Sequence, residues 1–201
     1  MAFHVSGSGA SDVRSSNNRL LSDAPPLCSG APQSHGLAHK NRMKMIARIS
    51  TRLACSEDEL WEKIIDPRSL QFVASPILSF VPVQEGSLTG EWLVGVPYQL
   101  NLYFLKFIPM GRHTIQLVRI DKEANTIISH ERGLLARVWN HTIRFWEVTP
   151  GVLGYIDEIE IRAGWLTPAI FMFAQLFYRH RQRRWNFLLR MNNQRRKNAN
   201  I

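Results

Sequence analysis

TPAIFMFAQLFYRHRQRRWNFLLRMN, residues 167–192, decides how this chain folds. Thr167 suits a helix N-cap and Pro168 the first helical position, and about seven turns follow without another Pro or any Gly. At 100° per residue, Ile170, Phe173, Ala174, Phe177, Tyr178, Trp185, Leu188 and Leu189 share one broad face. Gln175, Arg179, Arg183, Asn186 and Arg190 lie opposite. Such a helix is about 39 Å long, enough to cross the sheet of a small domain, and its apolar face must be covered. Arg181 breaks the pattern near the centre of that face. A guanidinium there is costly unless it meets a carboxylate or the polar part of a ligand.

Upstream, the chain punctuates itself into strands. MIARISTRL at 45–53 alternates in the manner of a strand, and SEDELWEKI at 56–64 opens with a capping-box pair, Ser56 and Glu59. Asp66-Pro67 ends that short helix, and RSLQFVASP forms a second one or a turn. A run of about six strands follows from Ile77, with GEWLVGV and PYQLNLYFLKF read as separate strands and PMG at 109–111 as a turn. TIISHER, VWNHTIRFWEV and LGYIDEIEIR complete it before the long helix. Strand, two small helices, meander and closing helix make an α+β fold, a curved antiparallel sheet of about seven strands whose concave face the last helix covers.

The 201 residues allow one domain, 45–201, preceded by a Ser-, Gly- and Pro-rich stretch, 1–44, that reads as a disordered tail. Mis-assigned translation, truly starting at Met43 or Met45, or a targeting segment would equally account for that stretch. The formal charge of +9 is concentrated at one end: from Ile161 to Ile201 there are nine Arg or Lys and no Asp or Glu, and the remainder is balanced. A solvated helix end explains such a cluster as readily as an anionic partner does. Cys28 and Cys55 show no paired spacing, which fits a reducing, cytoplasmic setting. No apolar run is long enough for a transmembrane helix. No His pair has ligand spacing, and there is no phosphate loop, nucleophile elbow or dinucleotide fingerprint, so neither metal nor cofactor is expected.

The element order, together with SEDELWEKIIDP, PMGRHTI at 109–115, RGLLARVWNHTIRF at 132–145 and GYIDEIEIR feeding the closing helix, resembles the SRPBCC or START-like helix-grip superfamily. That superfamily includes lipid-transport and polyketide cyclase/dehydrase-type proteins. The resemblance covers about residues 45–192 and implies a ligand cavity between sheet and helix.

Alternation gives that cavity a wall. Trp139, His141, Ile143 and Phe145 share one strand face, and Tyr155, Asp157, Ile159 and Ile161 another. The polar exceptions His141 and Asp157 point with Arg181 into one apolar space. One reading is a self-satisfied polar cluster, Asp157 pairing with Arg181 or His141. A second makes the protein a binding or carrier protein for a small hydrophobic ligand such as a lipid, polyketide, quinone or isoprenoid. There Arg181 or His141 holds the head, and Tyr98, Leu100, Leu102, Trp139, Phe173 and Phe177 line the tail. The strand phase at 97–107 leaves Gln99, Asn101, Tyr103, Leu105 and Phe107 as the alternative inward set. A third is a cyclase- or dehydratase-like enzyme with His141 as acid or base and Asp157 orienting it. His113 and His130 are weaker candidates. A fourth, resembling coenzyme Q-binding members, is a membrane-associated chaperone resting Arg179, Arg183, Arg184, Arg190, Arg195, Arg196 and Lys197 on anionic lipid. Nucleic acid is not an expected partner, because Trp185 and Phe187, the aromatics nearest the basic cluster, have core positions to fill.

Overall fold

The computed structural model describes residues 43–199; the expected tail over 1–44 lies, apart from Met43 and Lys44, outside the described residues. Strand β1 (Met45–Leu53) buries Ala47, Ile49 and Leu53 and turns Ile46, Arg48, Ser50 and Arg52 outward. Helix α1 (Glu57–Ile64) begins on the complete capping box: Ser56 Oγ accepts from Glu59 N, and Glu59 Oε2 accepts from Ser56 N. Helix α2 (Pro67–Ala74) has Pro67 in its first turn and Asp66 as N-cap, accepting from Arg68 N at 2.9 Å.

Six strands follow: β2 (Leu78–Pro82), β3 (Pro97–Phe104), β4 (Ile108–Asp121), β5 (Thr126–Gly133), β6 (Val138–Thr149) and β7 (Val152–Arg162). All seven pair antiparallel in the order β1-β7-β6-β5-β4-β3-β2, so the meander from β2 to β7 is closed at one end by β1 returning to β7. After one 3-10 turn, Gly164–Leu166, helix α3 (Thr167–Ala199) crosses the sheet and packs on β1, β7 and α2. The outward charges of the far face pair with one another, Arg48 from β1 and Arg144 from β6 with Glu158 of β7, and Lys44 and the same-strand Arg162 with Glu160. Exposed pairs of this kind add little stability, and they mark that face as solvated.

Four expectations change. GEWLVGV is not a strand; it makes one isolated bridge, Val94 to Leu117, and is held by Trp92 N donating to Ile65 O. The turn expected at PMG falls at Leu105-Lys106-Phe107 instead. Leu105 and Lys106 take the left-handed φ values 50° and 72°, and PMG begins β4. Gly111 has φ 85° and lies under Leu134, whose Cδ2 would be 3.2 Å from an added Cβ. The strand phase resolves in favour of Tyr98 and Leu100, both buried, while Gln99 is exposed and Leu105 and Phe107 lie beyond the strand and are exposed. Thr167 is not an N-cap: it is fully buried in helical conformation, its hydroxyl donating to Gly164 O and accepting from Ala163 N, so it ties the 3-10 turn to α3. Helix α3 also runs past Asn192 to Ala199, where Arg196 reaches Glu59 and Glu62 of α1.

Candidate functional site

A cavity of about 140 Å³ lies between the sheet and α3. Its wall is mostly aliphatic and aromatic, with Leu117, Ile120, Ile127 and Ile143 from the sheet, Trp92 from the irregular segment, and Ile170, Phe177 and Trp185 from the helix. Leu134, Leu135 and Arg112 are exposed and also line it, which places its mouth between the β5–β6 loop and the start of β4. An apolar cavity of about 150 Å³ suffices for benzene, whereas drug-sized ligands fill 300 Å³ or more. The space as folded therefore suits one ring or a short chain, and a longer tail would have to leave through the mouth.

The polar groups of the wall form two chains. Alternation on β6 and β7 puts His141 and Asp157 on the same side of the sheet, and a carboxylate can only accept. Asp157 Oδ1 accepts from His141 Nε2 at 2.8 Å and from Tyr155 OH at 3.1 Å, and its Oδ2 accepts from Gln182 Nε2 at 2.9 Å. Gln182 Nε2 also donates to Ile49 O at 2.8 Å, binding α3 to β1. The second chain lies nearer the mouth: Glu131 accepts from His113 Nε2 at 3.0 Å and from Ser129 Oγ at 2.8 Å, with Oε1 4.0 Å from His141 Nδ1. Gly133 permits this, since a Cβ there would stand 2.8 Å from His113 Nδ1.

Burial alone would raise both carboxyls. For Asp157 the hydrogen bond and charge of His141, then the charge of Arg181 and the Gln182 bond, outweigh it and hold the group below the usual range. For Glu131 the same balance is struck against burial by His113, His141 and Ser129. Tyr155 and Tyr178 are pushed up mainly by burial and stay protonated. Cys55, pushed up to about 12 by burial and then by Glu59, offers no thiolate.

Arg181 stands apart. Asp157 pairs with His141, and the guanidinium lies 4.9 Å over the Tyr178 ring with its Nε buried and, among the described residues, without a partner. Its charge is nonetheless favoured: burial pulls against it, but Tyr178, Asp157, Tyr155 and Glu131 prevail. The expected pairing of Asp157 thus falls to His141. Both imidazole nitrogens of His141 face carboxylates, which leaves neither turned freely to a substrate.

Among the residues expected at the site, Leu102, Trp139, His141, Phe177 and Arg181 line the cavity. Asp157 lies behind His141. Tyr98 packs edge-on against Trp92 at 4.7 Å, its hydroxyl accepting from Leu93 N, Leu100 belongs to the core, and Phe173 stacks on Phe177 and meets Phe104 edge-on. His130 is exposed, whereas His113 joins the Glu131 chain. The residues not anticipated are Glu131, Ser129, Tyr178's hydroxyl and Gln182. Only the period-2 phase from Ile127 through Ser129 to Glu131 points inward in the sequence, and the outward Ile128 obscures it.

The family described as "Domain of unknown function (DUF8410)" matches residues 51–188, most of the chain and all of the cavity wall. The chain belongs to the DUF8410 family. No curated protein matches it. Among solved structures, the DUF8410 chain is similar to protein CV1439 from Chromobacterium violaceum, with 12% identity over 72% of this chain and 96% of that one and a TM-score of 0.57. It is also similar to TTHA0849 from Thermus thermophilus, 8% identical over 74% of this chain and 99% of that one, with a TM-score of 0.56. At such identities the DUF8410 domain shares with them a fold.

Proposed function

We propose that this protein is a binding or carrier protein for a small hydrophobic ligand held between the curved sheet and α3. The observation that carries the reading is Arg181: a buried guanidinium with an unpartnered Nε, in the wall of an apolar cavity. Leaving such a group unsatisfied costs free energy that a purely structural core has no reason to retain, and a ligand's polar end supplies the missing partner. The likeness to START-like helix-grip proteins supports the same reading. A panel of one-ring and short-chain apolar molecules should raise the melting temperature of the full chain and perturb the fluorescence of Trp92, Trp139 and Trp185. Ile127→Trp, which fills the cavity from β5, should abolish both effects while the protein stays folded. Shifts that survive Ile127→Trp would place binding elsewhere and end the proposal.

A membrane-facing variant of this reading has its own observation. On the side of α3 away from the sheet, Met172, Leu176 and Phe187 are exposed, and the exposed Arg179, Arg183 and Arg190 lie on the same stripe. Trp165, 85% exposed, precedes them. Apolar and basic residues on one stripe suit the surface of an anionic bilayer. Arg184 and Arg196 do not belong to it, being engaged by Phe72 and by Glu59 and Glu62. Among the described residues no helix is long and apolar enough to cross a membrane. Flotation with anionic liposomes that is lost at high salt, and in an Arg179, Arg183, Arg190→Gln triple variant, supports the variant reading; salt-insensitive or absent binding removes it.

A further inference from the structure

Tyr178, Arg181 and Trp185 occupy successive turns of α3, and all three line the cavity. They are 1%, 6% and 2% exposed, so each is almost wholly withdrawn from bulk solvent. Each carries a donor left over. Arg181 Nε and Trp185 Nε1 are buried with no partner among the described residues. The Tyr178 oxygen accepts from Trp139 Nε1 at 3.2 Å, and its own proton goes to no described group. Unsatisfied buried donors are rare in folded proteins, and here they stand in register along one helix stripe. The polar residues of the opposite wall, Ser129, Glu131, His113 and His141, make their bonds among themselves and with Asp157, and Arg112 stands exposed at the mouth, so among the described residues no hydrogen bond from that wall reaches the stripe's free donors.

Resting on the carrier reading, we propose that the ligand's polar end consists of hydrogen-bond acceptors alone, a neutral carbonyl oxygen held by this donor stripe. A hydroxyl or amine head would bring a further proton to a stripe that itself only lacks acceptors, and the wall's carboxylate, Glu131, already accepts from His113 and Ser129. The charges decide between a carbonyl and a carboxylate. Arg112 lies exposed to solvent at the mouth; deeper in, before the imidazoles are counted, the buried positive charge of Arg181 is already outnumbered by those of Asp157 and Glu131, both held ionised. A carboxylate would add a third negative charge to a site of low dielectric, whereas a ketone, amide or quinone oxygen accepts the same hydrogen bonds without it.

Acetophenone, ethylbenzene and benzoate are near-isosteric one-ring probes that match the cavity's size, and binding of each to the full chain at pH 7.5 is read by calorimetry. Acetophenone should bind at least about tenfold more tightly than ethylbenzene, since a hydrogen bond to a charged donor is worth about that factor, and more tightly than benzoate. Arg181→Met should bring the ratio of acetophenone to ethylbenzene near one; Trp185→Phe should lower it less, and Arg181→Gln serves if either variant fails to fold. Equal binding of acetophenone and ethylbenzene overturns the inference and leaves the carrier reading standing. Benzoate binding most tightly overturns the choice of a neutral head. Binding of none of the three, with Ile127→Trp likewise inert, overturns the carrier reading itself.

Discussion

Removing the carboxylate of Asp157 should cost the domain as much stability as removing one aromatic side chain from its core. The residue is fully buried, and its two oxygens accept from three donors, His141 Nε2, Tyr155 OH and Gln182 Nε2. In Asp157→Ala the first two lose their only acceptor, while Gln182 keeps Ile49 O. At about 1–3 kcal/mol for each buried donor left unsatisfied, the loss comes to ~4 kcal/mol, in line with about 3–5 kcal/mol for breaking a buried ion pair. Against a total stability of about 5–15 kcal/mol this removes from about a quarter to about four-fifths of it. Asp157→Asn keeps one oxygen for His141 and Tyr155 but turns an amide N–H towards the Gln182 amide, so it should cost only ~2 kcal/mol. Urea unfolding followed by tryptophan fluorescence measures both. A loss below about 1 kcal/mol for Asp157→Ala, or equal losses for the two variants, would refute the network as described.

The same carboxylates predict the acid limb of stability. The folded pKa values of Asp157 and Glu131 lie below their unfolded values, about 4, so their contribution is complete above pH 4 and is lost as pH falls through the folded values. Urea midpoints should be flat in these groups between about pH 5 and 7 and drop steeply below about pH 4; an Asp157→Asn protein should show a shallower drop. Asn125 ends the β4–β5 turn at φ 46°, with its side-chain oxygen accepting from Trp61 Nε1 at 2.9 Å. Asn125→Ala should therefore cost about 2 kcal/mol, by backbone strain and an orphaned indole together. Asn125→Gly should cost less, since only the second effect remains, and the reverse order of the two would contradict this account of the turn.

How much of this was legible beforehand depends on which signal each residue carries. The closing helix, the capping box of Ser56 and Glu59, and the inward faces of β6 and β7 are written in periodicity and cap chemistry, and they stand in the structure as read. Arg181 was visible because it interrupts an apolar stripe. Glu131 was not, because β5 turns Ser129 and Glu131 inward and Ile128 outward, so hydrophobicity and phase disagree there. Gln182 sits at the edge of the helix's apolar face and owes its role to β1, a contact between residues 133 positions apart that no local pattern encodes. The misplaced turn has a different origin: Leu105 and Lys106 adopt conformations that their residue types disfavour, while the Pro and Gly of PMG lie within a strand.

The claim that the space under α3 is a ligand site is tested most directly by native mass spectrometry of the purified full chain, followed by extraction and identification of whatever is bound, beside the Ile127→Trp protein prepared in the same way. An added mass is expected on the wild-type protein that the filled variant lacks, belonging to an apolar molecule with a carbonyl end. Identical bare masses for the two, together with a wild-type melting temperature unmoved by any apolar probe, would contradict it and leave Arg181 and its neighbours as a buried polar cluster of the core.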